Sequence, residues 1–178
     1  MLAIFIVEAD NKSKSDFIYI SKYLRHFFTI GKQDVIRSVC LGGKGNYKKN
    51  SKENEIKTIV EKFKSFKRDD DRVVVFCCGD IDDVSRTGNA HENRVYAKTI
   101  QNYCCDKNWE FVWFHETIEE VFWGRRVSDK EKCRVAHSLS EKSLESLNVY
   151  HFKHASYLEC VSGTSNLDIV LGRYFERC

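Results

Sequence analysis

Apolar residues along this chain fall into two kinds of run. Leu2-Ala3-Ile4-Phe5-Ile6-Val7 and Val73-Val74-Val75-Phe76-Cys77-Cys78 are unbroken, the signature of strands buried on both faces of a parallel sheet. Asp34 to Leu41, with Val35, Ile36, Val39 and Cys40, predicts another strand, and so does Trp109 to Phe114. Between these runs the apolar residues change to helical spacing. Phe17, Ile20, Leu24 and Phe27 predict a helix over 13–28, with Ser13 or Ser15 as its cap. Ile56, Ile59, Val60, Phe63 and Phe66 predict one over 52–66, and Val95, Ile100 and Tyr103 one over 91–104. Gly31, the breaker Gly42-Gly43-Lys44-Gly45-Asn46 and the polar turn Asp69-Asp70-Asp71 separate them. Four strands alternating with helices predict an α/β domain around a mainly parallel four-stranded sheet.

The pattern changes near residue 117. Thr117-Ile118-Glu119-Glu120 and Ser128-Asp129-Lys130-Glu131 both have capping-box spacing. Val135, Leu139, Leu144 and Leu147 extend the helix after Ser128 to about Leu147. Tyr150-His151-Phe152 reads as extended, and a last helix runs from Ser165 through Leu167, Val170, Leu171 and Tyr174. The expected organisation is an α/β core over 1–116 and a helical C-terminal part over 117–178, packed together as one compact domain.

Composition narrows the class. The 178 residues suit one domain with a sizeable core. No stretch approaches the roughly 18 apolar residues of a membrane span, and the N-terminus runs straight into a strand without a basic, cleavable leader. A cytoplasmic protein without membrane contact is expected. The net charge of +3 does not by itself establish a nucleic-acid partner, but Lys44, Lys48, Lys49 and Lys52 crowd one segment and Lys62, Lys64, Lys67 and Arg68 another. Each is a solvated surface or a phosphate-contacting face. The eight cysteines include no Cys-x-x-Cys and give no zinc spacing. Cys40, Cys77 and Cys78 lie in apolar runs, where a reduced thiol acts as a small hydrophobe.

The candidate chemistry lies where strands end. Glu8 closes the first strand, and Asp80-Ile81-Asp82 follows the third. Ligands of α/β sheets bind at the carboxyl ends of strands. Alternate residues of an extended segment face one way, so Asp80 and Asp82 are expected to point together. Carboxylates grouped in this way suit magnesium, which takes one or two of them with waters and a phosphate oxygen. The plainer alternative is that these acids only cap and turn. Gly42-Gly43-Lys44 reaches the same edge, as a turn or as a loop whose N–H groups and lysine meet a phosphate. Arg86 is placed for the same contact. Glu116 at the end of the fourth strand is an additional candidate acid, or only the start of the next helix. Trp109, Trp113, Phe114, Phe122 and Trp123 are core or a base-stacking surface.

Ile6-Val7-Glu8, a short polar loop and helix, and later Val74-Val75-Phe76-Cys77-Cys78-Gly79-Asp80-Ile81-Asp82 resemble the TOPRIM fold over about residues 1–115. That family carries a Glu after its first strand and Asp-x-Asp after its third. The small RloB-like and OLD-type TOPRIM proteins of bacterial phage-defence loci are the most similar in size. The resemblance implies a Rossmann-like TOPRIM domain and magnesium- or manganese-dependent phosphodiester chemistry on DNA or RNA. It implies Glu8, Asp80 and Asp82 as catalytic metal ligands and Asp83 as an extra ligand; Lys12, Lys14, Lys44 and Arg86 are the candidate phosphate contacts. Ala9 stands where the family usually has Gly, and Val84 where a third acidic or amide position often follows. Two other readings stay open: a non-catalytic subunit that binds a partner such as an ATPase, and a nucleotide-binding protein. Homo-oligomerisation is compatible with each.

Overall fold

The computed structural model describes residues 1–66, 72–81, 90–159 and 161–178. Its elements in chain order are β1 (Leu2–Val7), α1 (Ser15–Phe27), β2 (Phe28–Thr29), β3 (Val35–Cys40), α2 (Asn50–Phe66), β4 (Val73–Ile81), α3 (Ala90–Lys107), β5 (Glu110–His115), α4 (Ile118–Trp123), α5 (Lys132–Ser138), α6 (Glu141–Glu145), α7 (Leu167–Leu171) and β6 (Glu176–Arg177). β3, β1, β4 and β5 form, in that order, an all-parallel sheet. The architecture is Rossmann-like α/β, as the alternation of strand and helix patterns predicts. Among the described residues no helix is long and apolar enough to cross a membrane.

The sheet separates two cores. Ala3, Phe5, Val7, Val74, Phe76, Cys78, Val112 and Phe114 face α1 and the C-terminal helices. Leu2, Ile4, Ile6, Val75, Cys77, Ile81, Phe111 and Trp113 face α2 and α3. Side chains on successive strand positions alternate between faces, so a strand covered on both sides must be apolar throughout. β3 and β4 lie on opposite sides of β1, so the winding of the chain reverses between β1 and β4. Doubly wound folds bind ligands at such a switch point.

Several elements differ from the sequence expectation. β4 continues to Ile81, with Gly79, Asp80 and Ile81 paired to Trp113, Phe114 and His115 of β5. Asp80 therefore lies inside the strand, not after it. Neither Ser13 nor Ser15 caps α1: Lys14 holds the N-cap position in a left-handed conformation without a side-chain bond. The Asp10 carboxylate orders that loop by accepting from the N–H groups of Lys12 and Ser13 at 2.8 and 2.7 Å. α3 buries Ala97, Ile100 and Cys104, while Val95 is 50% exposed. The single helix expected from 128 to 147 is two short ones, because Ser140 caps a second start by accepting from Ser143 N. Val149–Phe152 is a 3-10 turn and not extended, with Asn148 Oδ1 accepting from Tyr150 N. α7 stops at Leu171, and the chain returns as β6, antiparallel to β2.

The C-terminal part completes the sheet as well as packing on it. β5 is an edge strand, and edge strands leave backbone groups unpaired. Asn166 Oδ1 accepts from Trp113 N and its Nδ2 donates to Phe111 O, both at 2.9 Å. Ser165 Oγ donates to Trp113 O at 2.6 Å, and Thr164 O accepts from His115 N at 2.8 Å. Segment 164–166 thus occupies the edge as a strand would. The expected aromatic cluster is largely core: Trp113, Phe114 and Phe122 are buried, and Trp123 Nε1 donates to Tyr19 OH. The seven described cysteines are free thiols.

Candidate functional site

Glu8 and Asp80 line one cavity of about 330 Å³ at the carboxyl ends of β1 and β4. Residue parity places them. Glu8 follows Ile6 on the side of α2 and α3, where its neighbour on β4 is Gly79. A Cβ at Gly79 would stand 3.3 Å from Glu8 Oε1, so the glycine gives the carboxylate room to lie against the strand. There Glu8 Oε1 accepts from Asp80 N at 3.3 Å. The Asp80 side chain emerges on the opposite face, following Cys78, and its Oδ1 accepts from Ile118 N at the start of α4 at 3.0 Å. The two carboxylates approach the cavity from opposite faces of the sheet end.

The remaining lining includes Ala9, Asp10, Ser13, Asp16, Gly43, Lys44, Asp129, Lys132 and Cys133. The glycine loop is tied to β1: Gly43 N donates to Glu8 O at 2.9 Å and Gly42 N to Ala9 O at 3.2 Å. Gly42, Gly43 and Gly45 all have positive φ, which residues with a Cβ adopt at a cost. The loop thereby brings Lys44 to the cavity, where its Nζ also lies 4.7 Å from the centre of the Tyr96 ring. Further along, Lys48 lies over Tyr47 and Tyr103, and Lys107 over Tyr103.

Asp16 and Lys132 line the cavity and Glu119 pairs with Lys132, and the sequence reading singled out none of them as site residues. Asp16, in the first turn of α1, accepts from Ala9 N at 2.8 Å and from Ser15 Oγ at 3.0 Å. Glu119, on α4, is 1% exposed, and Lys132 is its ion-pair partner. Lys132 Nζ stands 3.9 Å from Glu119 Oε2 and 3.4 Å from Asp129 Oδ1. An acid in a first helical turn has an ordinary explanation in the helix dipole, so Asp16 gave no signal. Glu119 gave none either, since it too stands in a first helical turn, within the capping-box pattern of α4.

Of the other candidates, Glu116 accepts from Ser162 Oγ at 3.2 Å and does not line the cavity. Thr117 caps α4, its Oγ1 accepting from Glu120 N. Lys12 and Lys14 belong to the loop that Asp10 orders and are absent from the cavity lining. Asp82, Asp83 and Arg86 lie outside the described residues. Among the described residues no three His, Cys, Asp or Glu side chains form a group arranged to hold a metal ion. Glu8 and Asp80 supply two carboxylates, as many as magnesium usually takes from protein.

The acids at this site are buried and repel one another. Burial, then the charges of Glu8, Asp16 and Glu119, hold the Asp80 carboxyl well above the usual carboxylate range, against the opposing pull of Lys132. Burial likewise raises Asp16 and Glu119. An acid raised in the folded state binds more protons there than in the unfolded chain, so stability falls as pH rises above the unfolded values of 3.8 for Asp and 4.5 for Glu. The limiting slope is about 1.4 kcal/mol per pH unit for each group. Asp10, Glu53 and Glu131 are lowered and lose their contribution only at more acid pH. In EDTA, urea midpoints are therefore expected to fall from pH 5 to pH 8, and magnesium is expected to restore the midpoint at pH 8. A midpoint that rises with pH in EDTA contradicts the charge balance described for this cluster.

Comparisons with protein-family models, with curated proteins and with solved structures each gave no match.

Proposed function

We propose that this chain is a TOPRIM-like protein that binds magnesium or manganese and hydrolyses phosphodiester bonds in nucleic acid. One observation carries the reading. Glu8 and Asp80, on neighbouring parallel strands at the switch point, line a single cavity, and Glu8 Oε1 accepts from Asp80 N. The acids fit a divalent ion because they are close enough for Glu8 to raise Asp80, a repulsion that a cation relieves. Glu8 and Asp80 would hold the ion, with Asp82 and Asp83 as further ligands of this reading. Bound there, the ion would supply positive charge against the charge developing on the phosphate and would acidify water.

The chain's own groups do the rest. Lys44, at the cavity wall, meets a phosphate oxygen of the scissile strand. Lys48, exposed over the buried Tyr47 ring, adds positive charge beyond the cavity, which suits a phosphate backbone. Glu8 exchanges the proton of the attacking water or of the leaving oxygen. Arg86 is a further phosphate contact of the same reading.

The test is metal removal. End-labelled single-stranded and duplex RNA and DNA are incubated with the full chain in magnesium, in manganese and in EDTA. Cleavage with either metal and at least ~100-fold less in EDTA is expected, since the ion supplies several kcal/mol of charge stabilisation. No cleavage of any of these substrates, or cleavage indifferent to EDTA, overturns the reading.

A further inference from the structure

β3 is one edge of the main sheet, and α2 lies beside it. Between them Val35, Ile59, Phe63 and Phe66 line an apolar groove of about 460 Å³, with Arg37 and Lys62 as its charged residues. Phe66 is 87% exposed. Single exposed apolar residues are ordinary, but this one continues a line. Ile56 and Phe63 fix α2 on the core. Beside them run Lys52, Glu55, Ile59, Lys62 and Phe66, spaced three, four, three and four residues apart. That spacing keeps one stripe along a helix and is the spacing of helix-pairing seams. The charges of the stripe are ordered. Glu55, still 40% exposed beside Lys52, stands one turn before Ile59, and exposed Lys62 stands one turn after it. The strand edge itself is occupied: Arg37 Nη1 donates to Ile36 O at 3.1 Å, which keeps a partner strand off it.

We propose that this stripe of α2 docks antiparallel on the same stripe of a second copy of the chain, forming a two-fold dimer. A two-fold contact must be complementary to itself. With the axis at Ile59, each Glu55 meets the partner's Lys62, and the two Ile59 side chains meet each other. Each Phe66 then covers the aliphatic stem of the partner's Lys52. A parallel arrangement sets Glu55 against the partner's Glu55 and Lys62 against the partner's Lys62, and like charges repel. A uniformly acidic or basic partner of another kind matches only one of the two charges. A second copy, reversed, matches both. The groove lies by Leu2 and Val35, at the amino ends of β1 and β3, so the dimer leaves the cavity of Glu8 and Asp80 open. The inference is independent of the metal chemistry proposed above.

The experiment is sedimentation equilibrium on the full chain from ~1 μM to ~1 mM, a range that reaches weak dimers. Wild type is expected to approach twice the chain mass as concentration rises. Glu55→Lys and Lys62→Glu each place like charges at both symmetric contacts, and each is expected to weaken the dimer at least ~10-fold. Both positions are at the surface, so both variants are expected to keep the wild-type thermal midpoint to within a few degrees. An equimolar mixture of the two variants is expected to regain wild-type affinity to within a few-fold, because every contact between positions 55 and 62 in the mixed dimer again joins opposite charges. A wild type that stays monomeric throughout overturns the inference, as does a dimer that neither variant weakens. Two weakened variants whose mixture stays apart overturn the antiparallel pairing on which it stands. None of these results bears on the metal reading.

Discussion

Asp80→Asn is expected to lower metal-dependent cleavage by at least ~100-fold and, in the same protein, to raise stability measured without metal. The first effect follows from removing one of the two described carboxylates proposed to hold the ion, Glu8 and Asp80. The second follows from the sign of its electrostatics. Burial and three acidic neighbours outweigh the single opposing lysine, so the site favours an uncharged group at this position. Asparagine has the same shape, and its Oδ1 can still accept from Ile118 N, so the start of α4 keeps its partner. Relief on the order of 1 kcal/mol corresponds to about 2–4 °C in a chain of this size. Sites that hold unneutralised charge for function give up stability to do so. Thermal unfolding in EDTA and cleavage in magnesium, compared with wild type, check both halves. Cleavage within a few-fold of wild type removes Asp80 from the mechanism. A lower melting temperature shows that the ionised carboxylate is needed for the fold.

Asn166→Ala is expected to cost ~2–5 kcal/mol, the largest stability loss of any substitution considered for this protein. The amide satisfies two backbone groups of β5 at once, Trp113 N–H and Phe111 C=O. Alanine leaves both unpaired beside buried Trp113. An unsatisfied buried donor or acceptor costs about 1–3 kcal/mol. The effect reaches the site through register, because β5 pairs Phe114 with Asp80. Urea unfolding gives the stability change, and hydrogen exchange at Trp113 N shows whether the edge has opened. A loss below ~0.5 kcal/mol means that water or a shifted backbone replaces the amide. Asn166→Asp separates the two bonds, since it keeps an acceptor for Trp113 N and loses the donor to Phe111 O.

Asn166 also illustrates what a sequence conceals. Nothing near it marks a role in a sheet: it precedes a short apolar helix and reads as a cap. Its partners lie more than fifty residues earlier. The same holds for β2 and β6, two residues each, too short for any period to register. The split of the predicted 128–147 helix depended on the local competition of Ser140 with the helical backbone, which an apolar stripe does not reveal.

The sequence by itself determined the strands and helices of the α/β core. Strands covered on both faces must be apolar at every position, and helices covered on one face must be apolar every third or fourth. It also determined Glu8 and Asp80 as residues near one end of the sheet, because each closes or interrupts an apolar run. Only the tertiary structure decided how those acids meet: Gly79 leaves room for Glu8, and strand parity sends Asp80 to the other face. Only it brought Asp16, Glu119 and Lys132 to the same place from α1, α4 and α5. A hydrophobic period depends on one element and its neighbours in sequence. An electrostatic site depends on distances between elements, and these exist only after the chain has folded.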